Sequence, residues 1–136
     1  MKIAKYKVID HPSDIGIEAF GSGKKELFEN SAYGMMEMMY DLSGVPKDKS
    51  FDVKVSANDI GSLLISWLSE LLYISDSKHV ALKDFEISKI SDTELEAKVH
   101  GGKIGKIKRF IKAATYCQLA IERVKDNWKA RIIFDV

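Results

Sequence analysis

The stretch from Asn58 to Ile74 constrains the fold of this chain more than any other. Wound as a helix, it gathers Ile60, Leu63, Leu64, Trp67, Leu68, Leu71 and Leu72 in one broad stripe and leaves Ser62, Ser66, Ser69 and Tyr73 opposite. Such a face must be laid on a sheet, and burying each large side chain is worth roughly 1.5–3 kcal/mol. Asn58 supplies the expected N-cap oxygen, and Asp59 in the first turn suits the positive end of the helix dipole. Glu70 lies at the margin of the stripe and reads as a boundary carboxylate.

The 136 residues are enough for one domain with a real core, expected to span 1–136. With 21 basic against 20 acidic residues, the net charge of +1 gives no global drive toward nucleic acid or an anionic membrane, so any such contact must be local. A single cysteine, Cys117, excludes an internal disulfide. The opening Met1-Lys2-Ile3-Ala4 lacks a secretory signal and no apolar run nears the ~20 residues of a membrane span. A cytoplasmic protein without membrane contact is expected.

Ahead of the central helix, Ile3 to Ile9 alternates as a first strand, Asp10-His11-Pro12-Ser13-Asp14 reads as a turn, and Ile15 to Gly21 as a second strand. Ser22 is expected to cap a helix running to about Tyr40, with Phe28, Ser31, Ala32, Met35, Met38 and Met39 inward. The methionines read as core rather than as a soft-metal site. Tyr33, Met36 and Tyr40 share the other side and either pack under a loop or face a partner. Asp41 to Ser50 is a polar connection, and Phe51, Val53 and Val55 alternate in a third strand.

Beyond that helix, Ser75-Asp76-Ser77-Lys78 reads as a turn, and Val80–Ile90 and the alternation around Leu95, Ala97 and Val99 as two strands. His79 and His100 read as solvated, with no metal-ligand spacing to either. Gly101-Gly102-Lys103-Ile104-Gly105-Lys106 fails the phosphate-loop pattern by spacing and reads as a flexible turn. Lys103, Lys106, Lys108, Arg109 and Lys112, with Phe110 among them, form either a solvated loop or a contact for RNA or an acidic protein. Lys112 to Val124 is a long strand expected to be at least partly covered on both faces. Lys125-Asp126-Asn127 is a tight turn, and Trp128 to Asp135 alternates as a last strand that would hold Asp135 in place.

The order is two strands, helix, strand, helix, then about four strands. That arrangement predicts an α+β two-layer sandwich with two helices on a mixed, mostly antiparallel sheet. No nucleophile–base pair, cysteine cluster or dinucleotide fingerprint appears, so the residues give no independent catalytic signal.

The block His11-Pro12-Ser13-Asp14-Ile15-Gly16-Ile17-Glu18-Ala19 resembles the opening of the archease family. Leu64 to Tyr73, Lys112-Ala113-Ala114-Thr115-Tyr116 and Ile133-Phe134-Asp135-Val136 resemble further blocks of that family, in the family's order. The resemblance implies a non-catalytic accessory protein that activates an RtcB-type RNA ligase in tRNA splicing and repair. Such a helper promotes ligase guanylylation and repeated turnover, with tRNA contacted mainly through the ligase. A chaperone role toward a tRNA cytosine methyltransferase is the related alternative. A metal-dependent enzyme acting on a phosphorylated small molecule is the reading from another class. The resemblance also implies a divalent cation (Ca²⁺, Mg²⁺ or Mn²⁺) held by Asp14, Asp135 and Val136, hard oxygen donors suited to such ions. Lys112 and His11 map onto the activating, partner-facing positions, and Lys106, Lys108 and Arg109 are candidate RNA or partner contacts. Cys117 stands where many relatives carry histidine, the preceding loop lacks histidine, and Pro12 stands where threonine is usual.

Overall fold

The computed structural model describes residues 4–10 and 15–136. The chain runs β1 (Tyr6–Asp10), β2 (Ile15–Gly21), α1 (Lys24–Met39), β3 (Tyr40–Asp41), β4 (Lys49–Ser56), α2 (Ile60–Lys78), β5 (Val80–Ile90), β6 (Glu94–Lys103), β7 (Lys106–Ile107), β8 (Ala113–Val124) and β9 (Asn127–Asp135). The strands form sheets ordered β1-β2-β9-β8, β4-β6-β5 and β3-β7, and every described pair is antiparallel. Helix α1 packs on β2 and β5, and α2 on β8 and β4, so each helix touches a strand of both larger sheets. The expected α+β class holds. The single mixed sheet is replaced by separate antiparallel ones, with β3 and β7 too short to show a period in sequence.

The stripe of α2 is the centre of the core: Leu63, Leu64, Trp67, Leu68 and Leu71 are fully buried. Its indole Nε1–H donates to the Phe28 carbonyl at 2.9 Å and ties α2 to α1. The cap is Asp59 rather than Asn58; its carboxylate accepts from the Ser62 amide at 2.8 Å and its carbonyl from the Leu63 amide at 2.9 Å. The helix also continues through the expected turn at Ser75–Lys78. Buried Ser75 donates to the Val80 carbonyl and receives the Tyr40 hydroxyl, both at 2.7 Å, so tertiary partners override a local preference for a turn. His79 then stops the helix at φ 55° in the left-handed region.

Helix α1 is capped at Gly23, not Ser22, although the Ser22 amide donates to Glu26 Oε1 at 2.9 Å. Met35, Met36, Met38 and Met39 are all buried, as a core reading requires. Met36 and Tyr40 are both buried, and Tyr40 enters β3, which pairs with β7. Tyr33 is half-buried beside Tyr6, and both phenols donate to the Glu37 carboxylate.

One further reading changes, and one strand is interrupted. Gly101 and Gly102 belong to β6 instead of a flexible turn, and a Cβ on Gly101 would stand 1.9 Å from the Ala81 carbonyl oxygen. Glycine there lets β5 and β6 approach. In β8 the pairing jumps from Thr115↔Ile133 to Ala120↔Arg131, so residues 116–119 loop out opposite Ile132 alone. Tyr116, Cys117 and Gln118 are exposed and Gln118 takes φ 53°, while Ala114 is buried and Thr115, Leu119, Ala120 and Ile121 are half-buried, so both faces are partly covered outside the interruption. Leu119 turns back toward the start of α2, where a Cβ on Gly61 would meet its side chain at 3.3 Å. No described helix is long and apolar enough to cross a membrane.

Candidate partner-binding and metal site

The end of β9 and the start of β8 lie side by side because the turn at Lys125-Asp126 folds one strand onto the other, with Lys125 at φ 58°. Asp135 pairs with Ala113, and the Lys112 amide donates to the Asp135 carbonyl at 2.8 Å. Two residues 23 positions apart are thereby joined at one sheet corner. Asp135, Val136 and Lys112 are all exposed, while the neighbouring Phe134 and Ala114 are buried and anchor them. Ile15 pairs with Phe134 on the other side of β9. His11 and Asp14 lie outside the described residues.

The basic run is not a free loop. Lys106 and Ile107 pair with Asp41 and Tyr40, and the Lys108 and Arg109 amides share the Met39 carbonyl at 2.7 and 3.3 Å. Lys108 Nζ also donates to the Glu37 carbonyl at 2.9 Å. These bonds fasten the segment to the C-terminal end of α1, where free carbonyls favour cations. Lys106, Lys108 and Arg109 nevertheless leave much of their side chains in solvent. Asp41, facing them, is held below its usual pKa by the Ser43 hydroxyl and amide, with Lys108 and Lys106 adding to the effect.

Between this segment and α2 lies a hollow of about 270 Å³. Met39, Tyr40, Leu72, Tyr73, Phe110 and Ile111 form its apolar walls, and Ser69, Asp76 and Lys112 its polar ones. Phe110 and Tyr73 are 61% and 66% exposed at the rim, unusual for aromatic side chains and grouped beside Lys112. Neither was singled out in the sequence as a site residue. Tyr73 was legible as lying off the apolar stripe and Phe110 as lying within the basic run, but only the fold puts them together.

The donor set at the corner is Asp135 with the oxygens of Val136, hard ligands suited to Ca²⁺, Mg²⁺ or Mn²⁺ and exposed enough to be shared with another molecule. These two donors are of the kind the expected ion takes, and Asp14, the third, lies outside the described residues.

These features define a small α+β protein that presents an acidic strand end, a lysine and an aromatic-rimmed hollow at one corner. The description of the Archease protein family matches residues 6–136, and the chain belongs to that family. It is 31% identical to the protein archease of Methanosarcina barkeri, over 97% of this chain and 96% of that one. The protein archease of Archaeoglobus fulgidus is 32% identical, with 97% and 99% covered. The solution structure of a Methanobacterium thermoautotrophicum protein superposes with a TM-score of 0.83 at 31% identity, over 97% of this chain and 99% of that one. A Thermotoga maritima crystal structure, described as an archease and possible chaperone, gives a TM-score of 0.65 at 26% identity, with 96% of each chain covered.

Proposed function

We propose that this archease is a non-catalytic activator of an RtcB-type RNA ligase in tRNA splicing and repair, acting in the cytoplasm. It promotes ligase guanylylation and multiple turnover through a divalent-cation site made of Asp14, Asp135 and Val136. Lys112 and His11 serve the partner-facing side, and Lys106, Lys108 and Arg109 extend it. The observation that carries this reading is the Lys112 amide donating to the Asp135 carbonyl at 2.8 Å, which sets a lysine and a carboxylate together on an exposed strand end. Ile15, which follows Asp14 in the chain, pairs with Phe134, which precedes Asp135, and this supports the same set. The ion would supply a hard positive centre able to take a further oxygen ligand from a partner. Asp135 and Val136 would hold it, and Lys112 would meet an anionic group of the ligase or its nucleotide.

The test is multiple-turnover RNA ligation by an RtcB-type ligase with GTP and Mn²⁺, with and without the protein. Wild type should raise the number of turnovers per ligase, and Asp135→Ala and Asp14→Ala should each lose that effect while remaining folded by circular dichroism. A folded wild-type protein that leaves turnover unchanged would sink the assignment. The Thermotoga maritima relative's description favours a second reading, a chaperone, and here the aromatic rim of the hollow would hold a client such as a tRNA cytosine methyltransferase. Under it, Tyr73→Ser with Phe110→Ser would abolish protection of the methyltransferase from aggregation, and Asp135→Ala would not.

A further inference from the structure

His100 is half-buried, and the pairing of β5 with β6 sets it directly opposite Asp84. The register shifts between Leu82 and Asp84, so Lys83 is the extra residue of a bulge. The bulge re-aims the strand: Phe85 and Ile87 stay buried, while Asp84 and Glu86 fall on the outward face with His100. One ligand atom from each of Asp84, Glu86 and His100 lies within 4.8 Å of the others. The Nε2 atom of His100 is buried and has no hydrogen-bond partner among the described residues. Its nearest carboxylate oxygen, Glu86 Oε2, stands 3.5 Å away without hydrogen-bond geometry.

We propose that Asp84, Glu86 and His100 bind a first-row transition dication such as Zn²⁺. Two donors held at ~2.1 Å by one tetrahedral ion are ~3.4 Å apart, close to the spacing between His100 Nε2 and Glu86 Oε2. An ion there would occupy the nitrogen that no described residue satisfies. Two carboxylates offset the dication's charge, and a neutral imidazole selects Zn²⁺ or Co²⁺ over Ca²⁺ and Mg²⁺. Lys98, paired with Glu86 across the strands, reaches instead toward Asp52 at 4.0 Å and does not neutralise the site. The centre lies on the β4-β6-β5 sheet, whereas Asp135 belongs to the other large sheet, and its donors are softer. It would clamp β5 to β6 at the bulge, and its fourth position would be left to water.

Zn²⁺ titration by calorimetry and Co²⁺ absorption on the intact protein test this. Wild type should take up one equivalent of Zn²⁺ that Ca²⁺ does not displace, show visible Co²⁺ bands, and lose the proton from the Nε2 of His100 in nitrogen-edited NMR spectra. Replacement of one ligand should weaken binding by about tenfold or more. His100→Gln is the first variant, and Glu86→Gln, at an exposed position, keeps the test open if the first fails to fold. His79→Gln should bind as wild type does. Absence of Zn²⁺ binding by wild type, or equal affinity in Glu86→Gln, overturns the site.

Discussion

Replacing Trp67 by phenylalanine tests whether the junction of the two helices holds the core together. The indole is fully buried, its Nε1–H donates to the Phe28 carbonyl at 2.9 Å, and its ring meets Phe85 edge-on with centroids 6.3 Å apart. The phenyl ring keeps most of the apolar contact but gives up the hydrogen bond, a net loss of about 1 kcal/mol. It also leaves a void of roughly 40 Å³, which at about 24 cal/mol per Å³ costs about 1 kcal/mol more. Partial collapse around flexible Met35 and Met36, also fully buried in that core, would recover part of this. The expected destabilisation is therefore about 2 kcal/mol, a fall in Tm of roughly 5–10 °C for a domain of this size. Urea unfolding followed by far-ultraviolet circular dichroism measures it, with Trp128→Phe, at a half-buried position, as the control expected to cost under about 1 kcal/mol. A Trp67→Phe midpoint within about 0.5 kcal/mol of wild type at unchanged m would refute the view that the two helices are tied through this residue.

Other outcomes follow from single contacts. Asp59→Ala should cost about 1 kcal/mol because the Ser62 amide loses its acceptor, whereas Asn58→Ala should be close to neutral; thermal melts separate them. Gly101→Ala should cost more than about 2 kcal/mol, since the new methyl meets backbone at 1.9 Å, and amide exchange should show the opening confined to β5 and β6. Burial first, and then the bond to Glu37, raise the Tyr6 and Tyr33 phenols above their ordinary pKa of 10. The folded state then holds these protons more tightly than the unfolded chain does. Their contribution is complete below about pH 10 and is lost as pH rises through the raised values, so Tyr6→Phe should show a shallower alkaline loss of stability than wild type.

What could be read from the residues depended on range. The stripe of α2 needs only a period of 3.6, and β5, β6 and β9 only a period of 2, so their existence and inward faces were legible. The cap was displaced by one because Asn58 and Asp59 are both competent, and only the donor geometry at Ser62 chooses between them. Ser75 looked like a turn residue because its partners, Tyr40 and Val80, come from outside the helix. For Tyr40 the sequence left open a loop or a partner because its strand neighbour, β7, lies 67 residues downstream at Ile107 and is two residues long. At the candidate site, Lys112 and Asp135 were named through the family blocks, not through any local period. Their contact depends on the hairpin register, with its four-residue interruption, and no pattern in the residues encodes that interruption.

That interruption also bears on how the molecule behaves in a crowd. Strand β8 is an outer strand of its sheet, so its free edge is a template on which a second chain could continue the ladder. An unbroken edge of 12 residues would be a long runway for such growth. By leaving the ladder at Tyr116 and rejoining it at Ala120, the strand divides that edge into two short pieces and puts side chains in the way. The interruption therefore works against edge-to-edge polymerisation, beside the exposed corner formed by Lys112 and Asp135.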